Sequence, residues 1–189
     1  MYRPTDMPEK IILSTVSAWE LGEKFETTVA SKNDALREAK VAKLDGDLSE
    51  NAPYQAAKEK FRTMGRIQRR LTREMDDLIA QGHTVVDPRS WVRSDRIETV
   101  EIGAVVDIDE TGESMRLLVG GARDNHLPDK GDIIPIPYNS PLGGALLSHR
   151  AGDHFTVELN GRSQQIQVKR IRRPTEEEIL DIFPALRKG

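Results

Sequence analysis

The sequence predicts an α+β chain: an N-terminal antiparallel helical coiled-coil hairpin, then a C-terminal domain with a bent antiparallel sheet and one short helix. Three observations carry this. Two long runs place apolar or small residues at spacings of three and four on either side of an acidic, glycine-containing turn. Short runs of strand character follow residue 98. With 31% charged and 5% aromatic residues over 189 positions, the chain is lean in large apolar groups, which suits one thin part and one small globular part.

The first helix is expected to start near Ser17, where Ser17 and Glu20 read as an S-x-x-E capping box with Val16 and Leu21 as a hydrophobic staple. From there Ala18, Leu21, Phe25, Thr28, Lys32, Ala35, Ala39 and Ala42 form one face suited to lie along a second helix. Asp45, Gly46 and Asp47 are poor helix formers, so the helix ends near Leu44. Ser49 or Asn51 can cap the next helix, Pro53 fits its first turn, and the helix runs to about Ala80. Its seam of Ala57, Phe61, Met64, Gln68, Leu71, Met75 and Leu78 folds back on the first, with Gln68 facing Val29 to Lys32.

Residues 1–81 are thus expected to be a coiled-coil finger, 82–98 a linker anchored by Trp91, 99–173 the C-terminal domain, and 174–189 an extension. The domain's strands are read at Gly103–Ile108, Met115–Val119, Asp132–Pro137, Phe155–Leu159 and Gln164–Ile171, with a hairpin at Asn160-Gly161 and a short helix over Pro141–Leu147. A second capping box, Thr175 to Glu178, predicts a short docked helix in the extension.

The chain has no cysteine, which excludes disulfides, thiolate metal sites and cysteine nucleophiles. No apolar run approaches the roughly 20 residues needed to span a bilayer, and the start carries Pro4, Pro8 and charges, so a cytoplasmic protein is expected. The four histidines show no metal-ligand spacing. A net charge of −3 is uninformative, but its distribution is not. Lys58, Lys60, Arg62, Arg66, Arg69, Arg70 and Arg73 face a single acid, Glu59, just after the cluster Asp45, Asp47 and Glu50. Such one-sidedness suits a phosphate backbone alongside the helix.

Asp47 and Glu50 are three apart across the turn, so their carboxylates can converge. Hard oxygen ligands suit Mg²⁺, which accepts one or two carboxylates from a protein and keeps other ligands from elsewhere. Two carboxylates at the end of an arm therefore make half a site, to be completed by another macromolecule. Taken alone, an acidic D-x-x-E is most often a solvated turn.

The stretch Gly46-Asp47-Leu48-Ser49-Glu50-Asn51, continued by Tyr54 and Ala56-Ala57-Lys58-Glu59, resembles the tip signature of the Gre family of bacterial transcript-cleavage factors. A second match is similar to the family's carboxyl-terminal signature: Asn139-Ser140-Pro141-Leu142, then Ala145-Leu146-Leu147 and Gly152-Asp153. The resemblance spans about Ser17 to Ile171. It implies a monomeric accessory factor that is not itself an enzyme. Its coiled coil would enter the secondary channel of RNA polymerase while an FKBP-like C-terminal domain docks on the rim. Asp47 and Glu50 match the family's essential acids, which help hold a Mg²⁺ shared with the polymerase as it cleaves the 3′ end of backtracked nascent RNA. Asn139, Ser140 and Pro141 match the rim-docking segment. By charge and spacing, Arg62, Arg66 and Arg69 are the candidates for RNA contact.

The chain departs from the family at Pro53 and Gln55, where an acid and a histidine are common, and over Asn125 to Tyr138, where Pro128, Pro135 and Pro137 stiffen the chain. These departures keep open a second reading, a channel-binding regulator that modulates transcription without cleavage. The Ser140-Pro141-Leu142-Gly143 stretch also resembles regulators of nucleoside diphosphate kinase, whose short coiled coil lacks the acidic tip. Prolyl isomerisation rests on fold analogy alone.

Overall fold

The computed structural model describes residues 8–45, 51–110, 112–125 and 131–188. Two compact units emerge. One is helical and covers Trp19–Gly82; the other gathers the described residues up to Ala18 with those from His83 on. No helix among the described residues is long and apolar enough to cross a membrane.

The helical unit pairs α1 (Thr15–Ala42, 28 residues), whose first turn lies in the other unit, with α2 (Ala52–Gln81, 30 residues). A 3₁₀ turn, Lys43–Asp45, follows α1. The seam read from the sequence faces inward. Leu21, Thr28, Ala35 and Ala42 of α1 and Ala57 and Leu71 of α2 are buried, and the other seam residues are half-buried. Small residues at Ala35, Ala42, Ala57 and Gly65 permit close approach. The polar member of the seam, Gln68, accepts from Lys32 Nζ at 2.9 Å, inside the Val29 to Lys32 stretch expected to face it. Lys32 Nζ also lies 5.4 Å from the centre of the Phe61 ring, so its charge is partnered where its stem is covered. Helix α2 ends at Gly82, whose φ of 75° no β-carbon opposes and whose N–H bonds back to Ile79.

The start of α1 differs from the expected Ser17 cap. The helix begins at Thr15, and Ser14 Oγ accepts from the Ser17 N–H at 3.0 Å. Ser17 is therefore inside the first turn, and its buried hydroxyl is committed to Asp124. The cap thus lies three residues before the expected one, at Ser14 rather than Ser17.

In the globular unit a five-stranded sheet has the order β5-β4-β3-β7-β6, from β3 (Val105–Glu110), β4 (Glu113–Gly120), β5 (Ile133–Pro137), β6 (His154–Leu159) and β7 (Arg162–Arg172). The five expected strands are all present, as is the β6–β7 hairpin, whose Asn160 and Gly161 take φ of 52° and 73°. One expectation fails. The sheet is mixed, because β5 runs parallel to β4. The connection over residues 121–132 is about the dozen residues that a parallel return requires. Pro135 and Pro137 are tolerated because β5 is an edge strand.

Where they pair at Val105-Val106 and Leu117-Leu118-Val119, β3 and β4 are buried on both faces, which is why these stretches read as continuous apolar runs. Val106, Ile108, Leu117 and Val119 face one core with Leu146, Ile166 and Val168. Val105, Leu118 and Ile133 face a second core with Val16, Trp91, Ile179, Ile182 and Phe183. The stretch 82–98, expected as a linker, supplies part of this second layer. Its β2 (His83–Val86) pairs in parallel with an unpredicted strand, β1 (Ile11–Ser14), and Pro88 and Trp91 are buried in a 3₁₀ turn. The extension supplies the rest. Helix α4 (Glu176–Ile182) forms with the expected Thr175–Glu178 capping box, and Phe183 meets Trp91 edge-on at 6.1 Å.

Ion pairs fix both segments. Arg173 reaches Asp95 at 2.8 Å and also Glu101. Burial opposes the Arg173 charge, but the hydrogen bonds to Asp95 and Glu101 outweigh it and raise its pKa. Arg172 holds Glu178 through two bonds of 2.6 and 2.8 Å.

Candidate functional site

The acidic turn is approached from both helix ends. Ala42 closes α1, and Asn51 is the N-cap of α2, its Oδ1 accepting from the Tyr54 N–H at 2.9 Å. Asn51 Nδ2 donates to the Ala42 carbonyl at 2.6 Å, so one side chain caps the second helix and satisfies a terminal carbonyl of the first. Asp47 and Glu50 lie in the connection between these two residues, outside the described residues. Pro53 sits in the first turn of α2, as its missing donor allows.

The basic side chains of α2 are distributed unevenly. Arg62, Arg66, Arg69 and Arg73 recur at intervals of four, three and four, so they share one exposed face. Glu59 leans into that face: Arg66 Nη2 reaches it at 3.0 Å and Arg62 Nη1 at 3.9 Å. Arg66 also donates to Thr63 Oγ1 at 3.0 Å. Lys60 turns across the hairpin to Glu38 at 3.1 Å, a pairing the sequence reading did not foresee. Exposed pairs of this kind are worth about 0–1 kcal/mol, so they are readily exchanged for a stronger anion.

The second predicted segment opens the short helix α3 (Pro141–Leu146). Ser140 is its N-cap: the hydroxyl accepts from the Gly143 N–H at 3.0 Å and donates to the Pro137 carbonyl at 2.8 Å. The helix lies so close to β5 that a β-carbon on Gly143 would fall 2.0 Å from Pro137 O. Asn139 and Pro141 are exposed and line a groove of about 480 Å³ together with His149, Phe155 and Glu158. The His149 and Phe155 rings meet at 4.3 Å, tilted 44° to one another. These two residues carried no recognisable signal in the sequence; only the pairing of β6 with β7 and the turn after α3 bring them beside Ser140.

A further cluster escaped the sequence reading altogether. Asp124, fully buried, accepts hydrogen bonds from Ser14, Ser17 and the Gly121 N–H. Nothing local marks it, since its side-chain partners are more than a hundred residues away.

Comparison with known proteins matches both halves of the chain to models of one family. Residues 18–79 match "Transcription elongation factor, N-terminal", and residues 94–173 match "Transcription elongation factor, GreA/GreB, C-term". Transcription elongation factor GreA of a Nitratiruptor species is 33% identical over 153 residues, covering 81% of this chain and 87% of that protein. GreA of Nautilia profundicola is 34% identical over 143 residues, 76% of this chain and 78% of that one. Among solved structures, GreA factor homolog 1 (Gfh1) of Thermus thermophilus aligns at 18% identity over 86% of this chain and 99% of its own, with a TM-score of 0.35. Residues 174–189 lie beyond both family models.

Proposed function

The chain belongs to the GreA/GreB family of transcription elongation factors, and from that premise we propose that it binds RNA polymerase, inserts the end of its helical hairpin into the secondary channel and stimulates cleavage of backtracked nascent RNA at its 3′ end. The observation that carries this reading is the Asn51–Ala42 bond. It closes the hairpin so that the chain joining the two packed helices is the acidic stretch bearing Asp47 and Glu50.

In this reading Asp47 and Glu50 offer hard oxygen donors of the kind Mg²⁺ accepts, one or two from a protein, with the remaining ligands supplied by the polymerase. When bound, the ion supplies Lewis acidity and an activated water for phosphodiester hydrolysis. Arg62, Arg66 and Arg69 lie on one exposed face and would exchange Glu59 or solvent for phosphate oxygens. Asn139, Ser140 and Pro141 would seat the globular unit on the polymerase, held by the Ser140 cap and the groove beside it.

The test uses a stalled, backtracked elongation complex with Mg²⁺ and this protein, scored for short 3′ fragments. Wild type is expected to release them. The Asp47→Asn/Glu50→Gln double variant is expected to lose about a hundredfold or more in rate while still binding, since removing two ligands forfeits several kcal/mol of transition-state stabilisation. Equal cleavage by the double variant sinks the mechanism. Polymerase binding and altered promoter transcription without fragments, at saturating wild-type protein, would instead establish the non-cleaving regulator.

A further inference from the structure

Asp124 takes no part in the cleavage reading, yet it is the most completely enclosed carboxylate among the described residues, with 0% exposure. Its Oδ1 accepts from Ser14 Oγ at 2.6 Å and from Ser17 Oγ, and its Oδ2 from the Gly121 N–H at 2.7 Å. Burying a carboxylate costs several kcal/mol unless hydrogen bonds replace its water, and three charge-assisted bonds do so here. Two glycines make the space. A β-carbon on Gly120 would lie 2.8 Å from Asp124 Oδ2, and one on Gly121 would lie 2.8 Å from the Ser14 nitrogen. An apolar side chain here would leave two buried hydroxyls and the Gly121 N–H without this acceptor. What a carboxylate adds is direction: it fixes two hydroxyls, one at the cap and one inside the first turn of α1.

The same bonds continue to the docking segment. The Ala122 N–H donates to the Ile12 carbonyl at 2.7 Å, the Ile12 N–H donates to Tyr138 Oη at 3.2 Å, and the Tyr138 N–H donates to Gly120 O at 3.1 Å. Tyr138 is buried and immediately precedes Asn139. Hydrogen bonds thus tie the residue beside Asn139 to Ile12, the β1 backbone carries the link on to Ser14, and hydrogen bonds join Ser14 to Asp124 and Ser17 in the first turn of α1.

We propose that Asp124 is a positioning residue: with Tyr138 it fixes the first turn of α1 to the segment bearing Asn139, Ser140 and Pro141, so that a grip on that segment is transmitted to the start of the arm. This rests on the cleavage reading above, in which the segment docks and the arm carries the acids. Connectivity alone does not establish coupling; a readout that separates docking from catalysis does.

The experiment titrates full-length wild type, Asp124→Asn and Ser14→Ala/Ser17→Ala into stalled, backtracked complexes, measuring the half-saturating concentration and the saturating cleavage rate. In parallel, amide hydrogen exchange is followed in the free proteins. Positioning predicts a saturating rate lowered about tenfold to a hundredfold, as small misplacements of a catalytic group do, with half-saturation within about twofold of wild type. It also predicts about tenfold faster exchange at the Ile12 and Ser17 amides, with β3 and β7 amides unchanged. An unchanged rate in folded variants, or a rate and half-saturation that fail together with general loss of protection, overturns it. If wild type releases no fragments, the cleavage reading has failed, and the exchange data alone decide the anchor: unaltered protection at Ile12 and Ser17 in both variants refutes it.

Discussion

Asn51 Nδ2 and the carbonyl of Ala42 meet at 2.6 Å, joining the residue that caps α2 to the last residue of α1. The two roles of this side chain are separable. Asn51→Ala removes both the cap and the cross-link and is expected to cost about 1–2 kcal/mol by chemical denaturation. Asn51→Asp keeps an oxygen for the Tyr54 N–H but loses the donor to Ala42, placing a carboxylate against a carbonyl. It should retain helix content yet lower the saturating cleavage rate, and equal activity of the Asp variant and wild type would show that the cross-link is dispensable.

The polar layer inside the hairpin gives a second prediction. Lys32 and Gln68 satisfy each other at 2.9 Å, so Gln68→Leu leaves the Lys32 ammonium half-buried without its acceptor. That single change should cost about 1–3 kcal/mol. Replacing both by leucine removes the unpaired group and continues the apolar seam, so the double variant should be at least as stable as wild type. A double variant less stable than Gln68→Leu contradicts this account of the layer.

The hairpin was the most legible part of the molecule because its signal is local and repeated: every seam residue from Ala18 to Ala42 and from Ala57 to Leu78 turned inward. The strands around Asn160-Gly161 and the Thr175–Glu178 cap were equally plain, each set by neighbouring residues. What escaped depends on distant partners. Nothing beside Ile11–Ser14 announces that it pairs with His83–Val86, and that pairing turns an expected linker into a layer of the fold. Ser17 looked like a cap because its local pattern fits one; Asp124, over a hundred residues away, claims its hydroxyl instead. Asp47 and Glu50 lie outside the described residues; Glu59 was legible as a lone acid, but its lean towards Arg62 and Arg66 needed coordinates.

Gly143 sets how closely α3 approaches β5. Gly143→Ala would place a methyl 2.0 Å from the Pro137 carbonyl oxygen, a backbone atom that cannot turn aside. The expected cost is about 1–3 kcal/mol or more, with weaker polymerase binding because Ser140 and Asn139 shift with the helix. Thermal unfolding and a polymerase pull-down check the two effects; a variant with wild-type melting and binding would refute the close contact.

Acid should loosen the extension first. Burial raises the Glu178 pKa, but the hydrogen bond from Arg172 and those from Thr175 outweigh it, and the carboxyl is held below its ordinary value. Asp95 is lowered as well, chiefly by its hydrogen bond to Arg173. A depressed carboxyl contributes stability above the unfolded value, about 4.3 for Glu, and loses it as pH falls through the folded value. Emission from Trp91, packed on Phe183, should therefore shift to the red as pH drops below about 4. A Trp19→Phe background removes the exposed indole. Glu178→Gln should be less stable at neutral pH and flatter through the acid window, and an unchanged acid profile in that variant would assign the transition elsewhere.

Charge on the α2 face offers the last test, one that separates RNA contact from tip chemistry. If Arg62, Arg66 and Arg69 hold phosphates, each Arg→Ala should weaken binding of a single-stranded RNA end irrespective of sequence. Each should also reduce the slope of log affinity against log salt by about 0.7, the value for one phosphate contact to a single strand. Glu59 makes the argument sharper, because its carboxylate competes for Arg62 and Arg66 at 3.9 and 3.0 Å. Glu59→Gln should strengthen RNA binding about two- to fivefold at low salt, the scale of an exposed ion pair, and the gain should vanish as salt screens it. Both predictions are read by fluorescence anisotropy over a salt series. Slopes unmoved by all three arginine changes would leave the basic face as a solvated helix surface, whatever the acidic end does.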